Sequence, residues 1–260
     1  MSTSDWLRTG IGATTADSIT IRGRDLAGEL MGSVTFTELS FLLVQGTPPT
    51  PGQARLLDAV LVSLADHGLT PTVLAARLTY TGAPESLQGA VAAGLLGAGS
   101  VFLGVVEDAA VFLEQIVAAS AGGTEADLRA AAEAAVAARR SEGGRIPGLG
   151  HPIHKVEDPR TPRIYAIAAE AGLLGPNLRA LEMVAAASAS QSGRALPIIG
   201  AGAGGAALAD LGFAPAIVRG FALLARTAGL VAHLAEEMAQ PMGMPLFREI
   251  DERVTYEPGT

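Results

Sequence analysis

Apolar residues recur along this chain at helical spacing, and Gly, Pro or polar punctuation separates one run from the next. Phe36, Leu39, Leu42 and Leu43 predict a helix over 35–44, with Thr35 or Thr37 as N-cap and Gly46-Thr47-Pro48-Pro49 as its stop. Thr50-Pro51 opens the next, since proline suits a first helical turn. Leu56, Leu57, Val60, Leu61 and Leu64 form its stripe before it ends at Asp66-His67-Gly68. Helices are expected over 70–80 and 86–96, both apolar on most sides, as inside a protein or at an oligomer interface. Gly97-Ala98-Gly99-Ser100 breaks the pattern and 105–119 resumes it. The segment 124–140, capped by Thr124 with acids early and arginines late, reads as a surface helix. Further helices are expected over 161–170, 177–190 and 213–238, the last with an interruption at Gly229, and the proline-punctuated tail 240–260 is expected to be extended at most.

Only Ser18-Ile19-Thr20-Ile21-Arg22-Gly23 carries a good strand signal in the first half, alternating apolar and polar residues before a glycine. The expected fold class is therefore all-α with a minor short β-hairpin near the N-terminus. The run Leu196–Gly205 contains a loose dinucleotide-type glycine spacing, but no convincing strand precedes it and no βαβ pattern surrounds it. Close helix packing, or a tight backbone approach to a ligand, is the reading it supports.

Composition narrows the chemistry. The 260 residues can bury a full core, and without cysteine there are no disulfides, thiolate metal sites or cysteine nucleophiles. A net charge of −8 with no block of Lys or Arg argues against nucleic acid as partner, while a local arginine pair could still hold a small anion. The opening MSTSDWLRTG has no apolar core for a signal peptide, and later apolar runs are broken before they would span a bilayer. No membrane partner and a cytoplasmic location are expected. With 4% aromatic residues and abundant Ala and Gly, close helix packing is expected.

The stretch Gly148-Leu149-Gly150-His151-Pro152-Ile153-His154-Lys155-Val156-Glu157-Asp158-Pro159-Arg160 holds two of the four histidines on an irregular segment. His151, between Gly and Pro, is the best candidate for a catalytic or substrate-binding imidazole, and His154 reads as a bystander. A metal site on this His-x-x-His is ranked low, because the HExxH helix is absent and Pro152 opposes helical presentation of both rings. His67 follows a helix end, where a helix C-terminus favours its protonated form. His233, mid-helix, reads as a hydrogen-bonded structural residue. Arg226 lies in a segment otherwise made of Leu, Ala and Phe, where a buried guanidinium needs a partner such as a substrate carboxylate, and Arg160 is a second of the same kind. Two arginines and two histidines suit a small di- or tricarboxylate.

With these residues in place the sequence resembles the citrate synthase superfamily, and within it the short citryl-CoA lyase branch that includes the C-terminal module of ATP-citrate lyase. Ser18–Gly23 is similar to the early strand motif, Leu64-Ala65-Asp66-His67-Gly68 to the first substrate-histidine motif, and Gly148–Arg160 to the GxGH…DPR signature. Ala225-Arg226-Thr227-Ala228-Gly229 with Ala232-His233 resembles the late arginine helix. The resemblance implies a large domain, 1–104 with 196–260, a small mobile domain, 105–195, and a homo-oligomer built on a dimer. It also implies coenzyme A thioester substrates with no tightly bound cofactor. His67, His151, Arg160 and Arg226 would hold the hydroxy- or oxo-acid part, His151 relaying a proton, and Lys155 would lie near CoA phosphates.

Two departures accompany it. Phe102 stands where synthases carry the histidine that stabilises the enolate, and the ATP-citrate lyase module also has Phe there, which points to the lyase branch. The catalytic aspartate is expected within Ile199–Gly205, at Ala201, where no acid stands. Glu236, Glu237 or a CoA-bound water are the substitutes considered, and Arg248 is a weak substitute for an arginine supplied by a neighbouring subunit. The implied activity is cleavage of a 3-hydroxy-3-carboxyacyl-CoA to acyl-CoA and a 2-oxo acid. The alternatives are a catalytically silent homologue that binds carboxylate or CoA, and a condensing enzyme.

Overall fold

Threonine caps set the starts of the first two α-helices in the computed structural model, which describes residues 7–120 and 123–259. The first six residues of the N-terminal segment read above lie outside the described residues. Thr35 and Thr50 each accept from the backbone N–H three residues on, and Glu38 and Gln53 bond back to the threonine N–H. These reciprocal bonds satisfy otherwise orphaned donors and open α1 (Phe36–Gln45) and α2 (Pro51–Ala65). Ahead of them the strand at 18–23 forms as β2 (Ile19–Ile21), antiparallel to β1 (Gly12–Thr14) and β3 (Arg24–Asp25) in the order β1-β2-β3. β1 (Gly-Ala-Thr) lacks the β-branched alternation of β2, and β3 has only two residues. Arg22, at the β2–β3 turn, donates from Nε to the Leu43 carbonyl at 3.0 Å and ties the sheet to the end of α1.

α3 (Pro71–Gly82) and α4 (Leu87–Leu96) share a small core of Val73, Ala76, Ala90, Leu230 and Leu234. The other side of α4 is open, with Leu96 86% exposed. α2, α5 (Gly104–Ala119), α7 (Arg160–Glu170) and α8 (Pro176–Ser192) pack around α9 (Gly200–Asp210), and α6 (Glu125–Ser141, capped by Thr124) lies on α8 and α5. α9 is the glycine-rich run that reads as close packing, and it is buried from Gly200 to Ala209 because Gly and Ala let neighbours come near. One continuous apolar core joins α2, α5, α6, α8, α9 and α10 (Pro215–Ala239).

Two expectations are overturned. α10 is uninterrupted at Gly229, which lies against the Ala65 carbonyl where a larger residue would collide. The tail is helical over α11 (Gly243–Arg253), because the Glu237 carboxylate accepts from Met242 N and Gly243 N and starts the helix. α10 is also long and apolar enough to cross a membrane by length and composition alone; here 44% of that window is buried within the protein. Among the described residues it is the one helix that passes this test.

Candidate functional site

The loop 142–159 is irregular because glycines occupy positions other residues avoid, and it is held against the start of α9. Gly148 has φ +83°, and a Cβ on Gly202 would come within 2.6 Å of Gly148 Cα, so loop and helix meet backbone to backbone. Ile199 N donates to Gly148 O at 3.0 Å, Gly150 N to Pro197 O at 2.8 Å, and Thr161 Oγ1 to Ile198 O at 2.9 Å. Asp158 closes the frame. Its fully buried carboxylate accepts from Gly200 N at 2.7 Å and takes Arg160 in two bonds, Nε to Oδ1 at 2.9 Å and Nη2 to Oδ2 at 2.7 Å. Burial alone would raise the Asp158 carboxyl, but the bonds from the Arg160 side chain, Gly200 N and Arg160 N outweigh it and hold the group far below the carboxylate range.

Three imidazoles meet above this frame. His151 and His154 lie with ring centroids 4.5 Å apart, and His67, from the turn after α2, stands 5.3 Å from His151 and 5.8 Å from His154. His151 Nδ1 accepts from Ile153 N and His154 N, both at 3.1 Å. That fixes the neutral tautomer with its proton on Nε2, pointing a donor at whatever occupies the cluster. Burial, then the charge of His154, pushes His151 below its ordinary value, against the pull of Asp158. His151 is thus placed to donate from Nε2, while its Nδ1 lone pair already accepts two backbone N–H bonds.

The three rings offer nitrogens within 4.8 Å of one another, the only such grouping of potential metal ligands among the described residues. Zinc on His151 Nε2 would require the proton on Nδ1, facing two N–H donors, so as they stand the rings fit a hydrogen-bonded oxygen better than a metal.

Arg226 approaches from α10. Its side chain is 7% exposed, Nε and Nη1 have no hydrogen-bond partner, and the Asp66 carboxylate is 3.9 Å from Nη1. Burial, opposed by Asp66 and reinforced by Arg160, lowers its affinity for the proton, though a guanidinium stays charged. Arg160 differs, since Asp158 already occupies Nε and one Nη2 hydrogen and Nη1 reaches the Ser63 carbonyl at 3.3 Å. Arg226 has the capacity to take a carboxylate in two bonds; Arg160 can add one.

Behind Asp66 runs a polar chain. His233 Nδ1 accepts from Arg77 Nη2 at 3.0 Å, which leaves Nε2 to donate to Asp66 Oδ1 at 2.9 Å. Arg77, 2% exposed, also bonds Glu236 and, at 3.0 Å, Glu237. The expected substitutes for the aspartate are therefore engaged elsewhere: Glu237 is buried under the start of α11, and Glu236 faces Arg77.

Of the residues singled out in the sequence, His67, His151, Arg160 and Arg226 come together. His154 joins them, which corrects its reading as a bystander: Gly150 and Pro152 turn the loop so that both rings face His67. Arg77 and Asp158 were missed. Asp158 was visible within Asp158-Pro159-Arg160, but that a guanidinium two residues on would fold back onto it is not a spacing signal.

The family description "Citrate synthase, C-terminal domain" matches residues 35–248. The chain belongs to the citrate synthase family. Among its solved members, the citryl-CoA lyase of Hydrogenobacter thermophilus is 32% identical with a TM-score of 0.86, over 97% of this chain and 95% of that one. The ATP citrate lyase of Methanothrix soehngenii, solved with citrate and coenzyme A, shares the fold at 22% identity and a TM-score of 0.80, over 98% of this chain and 42% of that one. The citrate synthase of Deinococcus radiodurans is 32% identical over 121 residues, 46% of this chain, and the match spans 29% of that relative's length.

In this citrate synthase family member no acid stands in 199–205, and at Gly200, the first residue of α9, no side chain fits while Arg160 keeps its place. A Cβ on Gly200 would lie 2.7 Å from Arg160 Cζ. Phe102, 42% exposed, precedes α5, and Lys155 and Arg248 are exposed on the loop and on α11.

Proposed function

We propose that the protein is a carbon–carbon lyase of the citryl-CoA type, cleaving a 3-hydroxy-3-carboxyacyl-CoA into an acyl-CoA and a 2-oxo acid. The observation that carries this is the buried guanidinium of Arg226, with Nε and Nη1 unpartnered, 3.9 Å from Asp66 in the turn that also carries His67 into the histidine cluster. It fits a carboxylate next to an oxygen that gains charge as the bond breaks. The likeness to a citryl-CoA lyase over nearly the full length of both chains supports the same reaction.

In this reading Arg226 takes a substrate carboxylate in two bonds and Arg160, rigid on Asp158, adds one. His151 donates from Nε2 to the hydroxyl oxygen, which becomes the carbonyl, and His67 orients the same atom. Lys155 reaches CoA phosphates from the loop surface, and the open face of α4 pairs two chains into a dimer. The reaction runs without an aspartate from 199–205.

Mixing the purified protein with citryl-CoA and following oxaloacetate through a coupled dehydrogenase tests this; absence of oxaloacetate, with His151→Ala silent on every related thioester, rejects it. The lack of an acid in 199–205 favours a second reading, a silent carboxylate- and CoA-binding homologue. Calorimetry that finds binding across hydroxyacyl-CoA esters without turnover selects it.

A further inference from the structure

We infer that His154 is a catalytic residue, the base that takes the substrate hydroxyl proton and the acid that returns it to carbon. This rests on the lyase reading above. Nitrogens that all lie within 4.8 Å of one another enclose a point at most about 2.8 Å from each, within hydrogen-bond reach of one oxygen atom. A tertiary alcohol at that point offers one O–H and two lone pairs. Three imidazoles around it must therefore divide into two donors and one acceptor.

His151 is fixed as a donor by the N–H groups of Ile153 and His154 on its Nδ1. His67, from the turn after α2, orients the same oxygen in the lyase reading and supplies the second donor. His154 remains. Neither of its ring nitrogens has a hydrogen-bond partner among the described residues, so its tautomer is free to present a lone pair. The charged and titratable groups around the cluster are His67 and Asp66 from the turn after α2, His151 and Asp158 from the loop, Arg160 at the start of α7 and Arg226 on α10. Asp158 and Asp66 are both held ionised by hydrogen bonds, which leaves neither suited to take up a proton near neutral pH.

The step balances within the site. The hydroxyl O–H breaks and its proton goes to His154, while the oxygen pair becomes the new C=O. The electron pair of the breaking C–C bond moves onto the thioester enolate. The α-carbon of that enolate then takes the same proton back from the His154 imidazolium, so acyl-CoA and 2-oxo acid leave with no net proton gained or lost.

The test compares wild type, His154→Asn and His154→Gln, checked for fold by circular dichroism and melting, with citryl-CoA as substrate. Expected are a fall in kcat of about 10²–10⁴-fold with KM nearly unchanged, loss of the acid limb of the wild-type pH profile, and partial recovery with added imidazole. Wild-type kcat in both folded variants overturns the role of His154 and leaves the lyase reading standing. A wild-type protein that does not cleave citryl-CoA overturns both. Activity that depends on added zinc and disappears with chelator overturns the role as well, since the rings would then be ligands.

Discussion

Arg160 and Gly200 exclude one another's alternatives. The guanidinium lies across the first turn of α9 so closely that a Cβ on Gly200 would stand 2.7 Å from its Cζ, and Asp158 bonds both residues at once. A glycine at this position is thus the condition for Arg160 to face the histidine cluster, and the acid that serves the helix start comes from the loop instead.

Replacing Asp158 with Ala should cost about 3–5 kcal/mol, because it strands a partly buried guanidinium and the Gly200 N–H. The sign with pH follows from its depressed carboxyl: the stability it contributes is fully present above the unfolded value of about 3.9 and is lost as pH falls below it. His151 acts in a higher window. Its folded value is lowered, so the unfolded chain binds that proton first, and stability declines as pH drops below about 6.5. Urea melts from pH 8 to 3 should show both declines in wild type, the upper one reduced in His151→Gln and the lower one in Asp158→Asn.

Arg226→Met separates binding from stability. Removing a buried guanidinium with two unpartnered nitrogens should leave the ligand-free protein as stable as before or up to about 1–3 kcal/mol more stable. Affinity for a di- or tricarboxylate should weaken by about 2–5 kcal/mol. Thermal melts and calorimetry with citrate check the two halves independently; a destabilised protein with intact citrate affinity would contradict the assignment of Arg226.

Arg77→Ala should destabilise by about 3–5 kcal/mol by leaving the Glu237 carboxylate, 3% exposed, without its cation. Because Glu237 also starts α11, proteolysis should then begin within 240–253. Unchanged resistance to protease would mean that α11 is held by other contacts.

Much of this fold was legible because local rules agreed. The threonine–acid and threonine–amide spacings at 35, 50 and 124 fixed helix starts, and the stripe Leu56, Leu57, Val60 and Leu64 is buried as a stripe. The tail failed for a reason of the opposite kind: α11 starts on a carboxylate from the preceding helix, so nothing within 240–253 announces it. The site was half legible. His151, Arg160 and Arg226 stood out as polar residues in apolar or irregular surroundings. The protonation state of His151 and the place of His154 were not, because both depend on which way a loop of four residues turns its backbone N–H groups. Arg77 escaped notice because its partners, Glu236, Glu237 and His233, lie more than 150 residues away in the chain.

The central claim is cleavage, and a single-turnover experiment tests it most directly. Enzyme in excess over citryl-CoA at neutral pH, quenched over time and resolved by chromatography, should show citryl-CoA replaced by acetyl-CoA and oxaloacetate in equal amounts, with Arg226→Met slow. Citryl-CoA that stays intact in the presence of folded, ligand-binding protein would contradict the account.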